Sequence, residues 1–127
     1  MTEEQKKFDF ISIGKKVLDI ESAAIAKLKD ELDNNFENAC QLCLDCNGKI
    51  IVMGIGKSGH IADKLAATLA STGTPSFFVH PGEASHGDLG MISKSDVVIA
   101  LSNSGKTEEI VSLLPILKNM GIKVIAM

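Results

Sequence analysis

Two short loops rich in glycine and serine constrain this chain more than any other feature. The first spans residues 54–59 (GIGKSG) and directly follows an apolar run over residues 49–53. The second spans residues 102–107 (SNSGKT) and directly follows an apolar run over residues 96–101. Each places small hydroxyls and free backbone N–H groups at the start of a predicted helix, where glycines let an anion approach the main chain. Two such loops on one parallel sheet predict a site for a phosphorylated small molecule.

Hydrophobic periodicity predicts strands and helices that alternate after two N-terminal helices. The helices fall between residues 9 and 46, where apolar side chains recur every three or four residues. Strands are predicted over residues 49–54, 75–79, 96–101 and from 122 onward, with helices over 58–71 and 107–120. Residues 80–94 are predicted to be mostly loop with a short helix. Because the strands are apolar on both faces, the fold class is α/β, a three-layer αβα sandwich with a parallel sheet in the order 2-1-3-4.

The last predicted strand begins at Ile122 and meets the end of the sequence at Met127. A sheet that ends there lacks the helix that would cover its last face. We therefore expect residues 1–127 to form a single domain that is incomplete at its C-terminal end. The alternative is that a second subunit covers the exposed face of the sheet. A chain of 127 residues has the length of one domain with a real core.

Charge and composition exclude several classes of partner. Thirteen basic and sixteen acidic side chains give a net charge of −3, which argues against nucleic acid or an anionic membrane as the main partner. No apolar run approaches the roughly 20 residues of a membrane span, and the N-terminal residues contain no apolar signal core. The sequence thus predicts a cytoplasmic protein.

Three cysteines at three-residue spacing raise the question of a metal. Cys40, Cys43 and Cys46 suit an iron–sulfur or zinc site only in part, because such sites usually take four ligands. Reduced cysteine is also a small and readily buried side chain. We favour a structural role for the three thiols, and a metal site remains the alternative.

The first loop also matches the dinucleotide fingerprint through Gly54, Gly56 and Gly59. That fingerprint requires an acidic residue near the end of the second strand, which instead ends at His80. A nicotinamide cofactor is therefore disfavoured. Lys57, inside the loop at a strand terminus, is predicted to neutralise a phosphate or a developing oxyanion.

The second loop and the segment after the second strand supply further polar groups. Hydroxyls at three positions of one short loop favour phosphate binding over simple helix capping, which needs only one. The loop positions are Ser102, Ser104 and Thr107. The later segment contains His80, Glu83, His86 and Asp88. We expect the segment to bind sugar hydroxyls, with a divalent metal as the alternative.

These motifs together resemble the arabinose 5-phosphate isomerases of the sugar isomerase (SIS) domain family. The resemblance rests on GIGKSG at 54–59, STGTPSFFVHPGEA at 71–84, HGDLG at 86–90 and SNSG at 102–105. It implies interconversion of D-ribulose 5-phosphate and D-arabinose 5-phosphate through an enediolate, the first step towards Kdo for lipopolysaccharide or capsule. It also implies no cofactor, a homodimer or homotetramer, and a fifth strand beyond this sequence that carries another catalytic glutamate and a histidine. We expect no CBS modules, which many relatives carry, within residues 1–127.

The resemblance also implies roles for individual residues. Lys57 and Glu109 correspond to catalytic positions. The substrate and phosphate positions are Gly56, Ser58, Gly73, Thr74, His80, His86, Ser102, Asn103, Ser104 and Thr107. No metal is required, although His80 corresponds to an inhibitory zinc ligand. The alternative function is a SIS module that binds a sugar phosphate without catalysis, or an inactive fragment of the isomerase.

Overall fold

The computed structural model describes residues 8–127, which divide into two compact units after residue 37. The first unit contains the helix α1 (Phe10–Glu31). This helix begins where it does because the Asp9 carboxylate accepts the N–H of Ser12 at 3.0 Å. The helix α2 (Asn34–Leu44) starts after Asp33, whose carboxylate accepts the N–H of Asn35 at 2.9 Å. Both N-terminal helices agree with the prediction.

The second unit is built on a parallel sheet of four strands. The strands are β1 (Ile50–Met53), β2 (Ser76–Val79), β3 (Val97–Ala100) and β4 (Lys123–Ala126). Their order is β2-β1-β3-β4, and every neighbouring pair is parallel. The predicted fold class and strand order are therefore confirmed. Residue Met53 at the end of β1 pairs with Val79 on one side and Ala100 on the other.

Helices cover both faces of this sheet. The helix α3 (Gly56–Ser71) packs Ala62 and Ala66 against one face, together with Cys43 and Cys46. The opposite face is covered by α4 (Pro81–Ser85) and α6 (Leu114–Asn119), and the short helix α5 (Glu108–Val111) contacts both of these helices. A 3₁₀ turn (Asp88–Met91) follows α4. Strands β1 and β3 are buried throughout, as expected for the centre of a layered α/β domain.

One predicted helix proved wrong in its extent. Residues 107–120 were expected to form one helix, but the structure divides them into α5 and α6. Pro115 lies in the first turn of α6. Because proline has no N–H and its ring clashes with the carbonyl four residues earlier, a helix cannot pass through it unbroken. The short helix expected within residues 80–94 is confirmed as α4.

A buried carboxylate joins the strands at the amino edge of the sheet. Asp96 is only 3% exposed and accepts the backbone N–H groups of Lys49 and Ser93, each at 2.7 Å. Burial raises the pKa of Asp96, but these hydrogen bonds and the Lys49 charge outweigh burial and hold the pKa below its usual value. A side chain at Gly48 would collide with the Asp96 carboxylate, so the sequence can place only glycine there.

The three cysteines are free thiols. Cys43 and Cys46 are half-buried against the sheet, in line with the structural role that we favoured, while Cys40 is exposed. Burial and the neighbouring Cys40 and Cys46 raise the pKa of the Cys43 thiol. Within residues 8–127, no three histidine, cysteine or acidic side chains are arranged to hold a metal ion. Over the same residues, no helix is long and apolar enough to cross a membrane.

Candidate functional site

The two predicted anion-binding loops start side by side at the carboxyl edge of the sheet. Loop 1 (residues 54–59) leaves β1 after Met53, and loop 2 (residues 102–107) follows β3. Met53 pairs with Ala100, and the N–H of Leu101 donates to the Met53 carbonyl at 2.9 Å. Since neighbouring strands lie about 4.8 Å apart, the loops begin within reach of one small ligand. This edge is also where open α/β sheets bind ligands.

The glycines of loop 1 serve two different purposes, close packing of α3 against β1 and access to the backbone. A Cβ at Gly54 would lie 2.6 Å from the Ser58 carbonyl oxygen, and one at Gly59 would lie 2.8 Å from the Gly54 oxygen. These two glycines therefore allow α3 to start directly against the end of β1. Gly56 has a φ of 59° and open space where a side chain would lie. Only Gly56 thus suits the close approach of an anion that we expected of all three glycines.

The start of α3 presents the remaining groups of loop 1. Its N-cap residue, Ile55, has no side chain that hydrogen-bonds the first turn of the helix. The first-turn N–H groups of a helix need external acceptors, and an anion is a suitable one. Lys57 is exposed and Ser58 half-buried in this same turn. Gly56, Lys57 and Ser58 therefore form the first turn of α3, and their contact with a ligand stays a prediction.

Loop 2 is held by hydrogen bonds within itself and to Met127, the residue after β4. The Ser102 and Thr107 hydroxyl oxygens lie 2.7 Å apart, and the Gly105 N–H donates to Ser102 Oγ at 3.0 Å. Ser104 Oγ accepts the Lys106 N–H at 3.1 Å. The Ser102 N–H donates to the Met127 carbonyl at 2.8 Å. Sequence reasoning missed this contact because a backbone carbonyl carries no side-chain signal, and its position depends on strand register.

The candidate catalytic carboxylate, Glu109, lies in the first turn of α5, directly after loop 2. Both Glu109 and its neighbour Glu108 are exposed. Thr107 is the N-cap of this helix, and its carbonyl accepts the N–H groups of Ile110 and Val111. Glu109 and Lys57 therefore sit at the beginnings of helices that leave adjacent strand ends.

His80 also lies at the carboxyl edge, next to β1, because it follows Val79 of β2. Its Nδ1 accepts the Gly82 N–H at 3.0 Å and caps α4, so only Nε2 is free to meet a ligand. A zinc site takes about four ligands, of which His80 Nε2 would supply one, and the inhibitory zinc that the resemblance implies at His80 stays a prediction. His86 ends α4 and is exposed.

Two predicted substrate positions lie elsewhere. Gly73 and Thr74 precede β2, at the amino edge of the sheet, whereas His80 follows the same strand. The four residues of β2 alone span about 13 Å, and Thr74 and His80 lie beyond its two ends. The structure thus separates Gly73 and Thr74 from the other candidate residues of this chain, and their contact with substrate stays a prediction.

A cavity of about 200 Å³ lies beneath loop 2. It is lined by Ala100, Ser102, Gly105, Thr107, Ile110, Val111, Leu114, Ala126 and Met127. Ser102 and Thr107 supply the only polar side chains among these. Asn103, Ser104 and Lys106 of the same loop do not line this cavity and are exposed.

Comparison with known proteins identifies the family. The SIS domain profile matches residues 43–127, so this chain belongs to the SIS domain family. Arabinose 5-phosphate isomerase KdsD of Escherichia coli O157:H7 is 58% identical over 121 residues, which are 95% of this chain and 37% of the relative. The corresponding enzyme of Pseudomonas aeruginosa is 56% identical over 119 residues, 94% of this chain and 36% of the relative. This chain therefore spans little more than a third of these curated relatives.

A solved structure agrees with these relatives. A protein of Escherichia coli CFT073, determined in complex with arabinose 5-phosphate, superposes with a TM-score of 0.86 at 52% identity. The match covers 93% of this chain and 63% of that one. The resemblance to the arabinose 5-phosphate isomerases inferred from the sequence motifs is thereby confirmed.

Proposed function

We propose that this chain carries the sugar-phosphate site of an isomerase that interconverts D-ribulose 5-phosphate and D-arabinose 5-phosphate. The observation that carries this proposal is the register that sets loop 1 and loop 2 side by side, in a chain 52% identical to a protein solved in complex with arabinose 5-phosphate. The names of the curated relatives support the same reaction. The resemblance further suggests a product destined for Kdo, a cytoplasmic protein and a homo-oligomer, all of which stay predictions.

The phosphate of the substrate binds between the loops. The first-turn N–H groups of α3, the Ser58 hydroxyl and the hydroxyls and N–H groups of loop 2 supply donors for its oxygens. Held at this end, the sugar extends along the carboxyl edge towards His80 and His86. Binding the unreactive phosphate fixes the position of C1 and C2, which lowers the entropy cost of reaching the transition state.

The reaction moves hydrogen between two neighbouring carbons. From the open-chain aldose, a base removes the proton of C2, the electron pair forms the C1–C2 double bond of an enediolate, and the carbonyl oxygen becomes an oxyanion. Return of a proton to C1 and transfer of the C2 hydroxyl proton to O1 complete the ketose. Glu109 is the proposed carrier of the carbon-bound proton, and Lys57 is the proposed cation that stabilises the oxyanion.

The alternative is a module that binds the sugar phosphate without turning it over. The match spans 37% of the length of the first curated relative, and the resemblance puts a further glutamate and a histidine in the part not covered. An assay that follows arabinose 5-phosphate formation from ribulose 5-phosphate, run beside a calorimetric titration with the same sugars, separates the two. Binding without turnover would leave only the alternative.

The sharpest test of the catalytic assignment is Lys57→Ala. Loss of a charge that stabilises the oxyanion is expected to lower kcat about 100-fold or more, with the melting temperature unchanged because Lys57 is exposed. The matched control is Lys64→Ala, an exposed lysine two turns further along α3, which should retain full turnover. Turnover of Lys57→Ala at the wild-type rate would contradict the proposed role.

A further inference from the structure

His80, at the carboxyl end of β2, is held to the helix α4 at two points. Its backbone carbonyl accepts the Ala84 N–H at 3.0 Å, and its ring nitrogen Nδ1 accepts the Gly82 N–H at 3.0 Å. Pro81 and Ala84 of α4 are both buried, and proline fixes its own φ at a helical value. The imidazole of His80 is therefore anchored on a buried part of α4, although the side chain itself is exposed.

The ring contact depends on the missing side chain of Gly82. A Cβ at Gly82 would lie 3.0 Å from Nδ1 and 3.1 Å from Cε1 of His80, closer than atoms pack at their optimal separation of about 3.5–4.0 Å. The ring would have to move away. The backbone at Gly82 does not require glycine, because its φ is not left-handed and alanine is preferred inside a helix. The glycine is therefore explained by the position of the His80 ring.

The bond to Gly82 also determines which ring nitrogen of His80 carries the proton. A neutral imidazole has one donor and one acceptor nitrogen, and the hydrogen bond of one nitrogen sets the state of the other. Nδ1 is the acceptor here, so the proton is on Nε2. The free side of the ring is thus a hydrogen-bond donor. A metal ion at Nε2 would need the proton on Nδ1 and would break the bond to Gly82.

We propose that Gly82 is a positioning residue, whose N–H holds His80 in the Nε2–H form so that the ring donates a hydrogen bond to a sugar oxygen. The acceptor is a carbonyl or hydroxyl oxygen of the sugar phosphate, and this part of the inference rests on the proposed function. A neutral ring with its proton on Nε2 cannot remove a proton from carbon through that nitrogen, so His80 does not duplicate the base. The opposite view is that the ring is free and that Gly82 serves only the packing of α4.

Nitrogen-15 NMR of the imidazole rings tests the proton assignment in ligand-free protein. At about pH 8.5, where an ordinary histidine is neutral, protonated and unprotonated ring nitrogens have well separated chemical shifts. His80 should show the Nε2–H form alone, while the exposed ring of His60 should show the average of two exchanging forms. Gly82→Ala should move the His80 signals towards this average. Gly90→Ala is the control and should move neither ring, because its Cβ would meet no atom within 4 Å.

Two substitutions of His80 separate its two hydrogen bonds. The side-chain amide of His80→Asn reaches the place of Nδ1 and should still cap α4, while the donor at Nε2 is lost. The longer amide of His80→Gln reaches the place of Nε2 and should keep the donor but lose the cap. Calorimetry should therefore find the Kd for arabinose 5-phosphate raised about tenfold by His80→Asn and less by His80→Gln. The melting temperature should fall by about 4 °C in His80→Gln alone.

Gly82→Ala distinguishes positioning from packing. It should raise the same Kd about three- to tenfold, because the displaced ring no longer presents its donor, without lowering the melting temperature, because alanine favours the helix. Gly90→Ala should change neither quantity. A role in packing alone would lower the melting temperature of Gly82→Ala and leave Kd as in wild type.

His80 signals that match those of His60 in the wild type, or that Gly82→Ala leaves in place, would overturn the inference. An unchanged Kd in Gly82→Ala or in His80→Asn would overturn it as well, as would a melting temperature of His80→Gln equal to that of wild type. A wild-type protein that binds no sugar phosphate would refute the proposed function, whereas the NMR comparison would still decide whether Gly82 fixes the proton of His80.

Discussion

At the level of single residues, the strictest packing constraints fall at positions where no side chain larger than that of glycine fits. Gly54 and Gly59 face each other across the junction of β1 and α3, where a Cβ would lie 2.6 Å or 2.8 Å from backbone oxygen. Backbone atoms cannot rotate away as the end of a flexible side chain can. The contact between strand and helix therefore needs glycine for packing, and the anion site above it depends on that packing.

Gly54→Ala should destabilise the protein by about 1–3 kcal/mol, since the new methyl group forces the start of α3 away from β1. Urea denaturation followed by circular dichroism measures this loss. Gly90→Ala is the control, because its Cβ would meet no atom within 4 Å and its φ is not left-handed. The control should stay within about 0.5 kcal/mol of wild type. Equal effects of the two substitutions would contradict the packing argument.

Asp96→Asn should cost about 1–3 kcal/mol at neutral pH, because the amide replaces a charged acceptor of two backbone N–H groups. The pKa of Asp96 is lowered in the folded protein, so its stabilisation is complete above the usual carboxyl pKa of about 3.9. It is lost as the pH falls through the lower folded pKa. Urea titrations at pH 7 and pH 3 should therefore show a smaller gap between wild type and variant at acid pH.

The control for that experiment is Asp63→Asn, which changes an exposed carboxylate on α3. It is expected to shift stability by less than about 0.5 kcal/mol at pH 7. A gap between wild type and Asp96→Asn that stays constant from pH 7 to pH 3 would show that the carboxylate charge plays no part.

At the scale of elements, α3 approaches the sheet through small side chains. Ala62 and Ala66 are 0% and 2% exposed, and they follow Gly59 along the same side of the helix. Small residues at this spacing let the helix backbone lie close to β1 and β2. The same closeness holds the first turn of α3, with Lys57 and Ser58, at the edge of the sheet.

Ala66→Leu should therefore destabilise the protein by about 1–3 kcal/mol, because the larger side chain has no space between α3 and the sheet. Ala67→Leu adds the same atoms to an exposed position one residue along the same helix, and should be nearly neutral. Thermal unfolding of both variants measures the difference. A loss of stability confined to Ala67→Leu would place the buried side of α3 elsewhere.

At the scale of the whole molecule, burial falls from the centre of the sheet towards its edges. Strands β1 and β3 are buried at every position, while β4 at the edge has exposed ends and half-buried central residues. The two inner strands also carry loop 1 and loop 2 at their carboxyl ends. The candidate site is thus attached to the most buried part of the fold.

This gradient predicts unequal effects of one substitution at two places. Ile51→Ala, in the centre of β1 at 0% exposure, should cost about 2–5 kcal/mol in unfolding free energy. Ile125→Ala, at a half-buried position of β4, should cost less than half as much. Chemical denaturation of the two variants is the measurement, and similar losses would mean that the edge strand is as well packed as the centre.

Much of this architecture follows from local pattern. The sequence predicted β1, β3 and both loops from two apolar runs, over residues 49–53 and 96–101, that are each followed by small polar residues. A buried strand is recognisable as a short apolar run, and a helix start as small polar residues directly before the helix. The parallel order 2-1-3-4 followed from the alternation of strands and helices. Pro115 is the residue of the sequence that indicates the break between α5 and α6, although the apolar periodicity over residues 107–120 suggested one helix.

The contacts of the site residues depend on how the chain folds in three dimensions. The packing role of Gly54 and Gly59, the pairing of Ser102 with Thr107 and the bond from Ser102 to Met127 depend on how separate segments meet in space. The separation of Thr74 from His80 depends on strand direction. Sequence patterns report which residues are buried and which local conformation they favour, but contacts between distant backbone groups are set by strand register and helix approach.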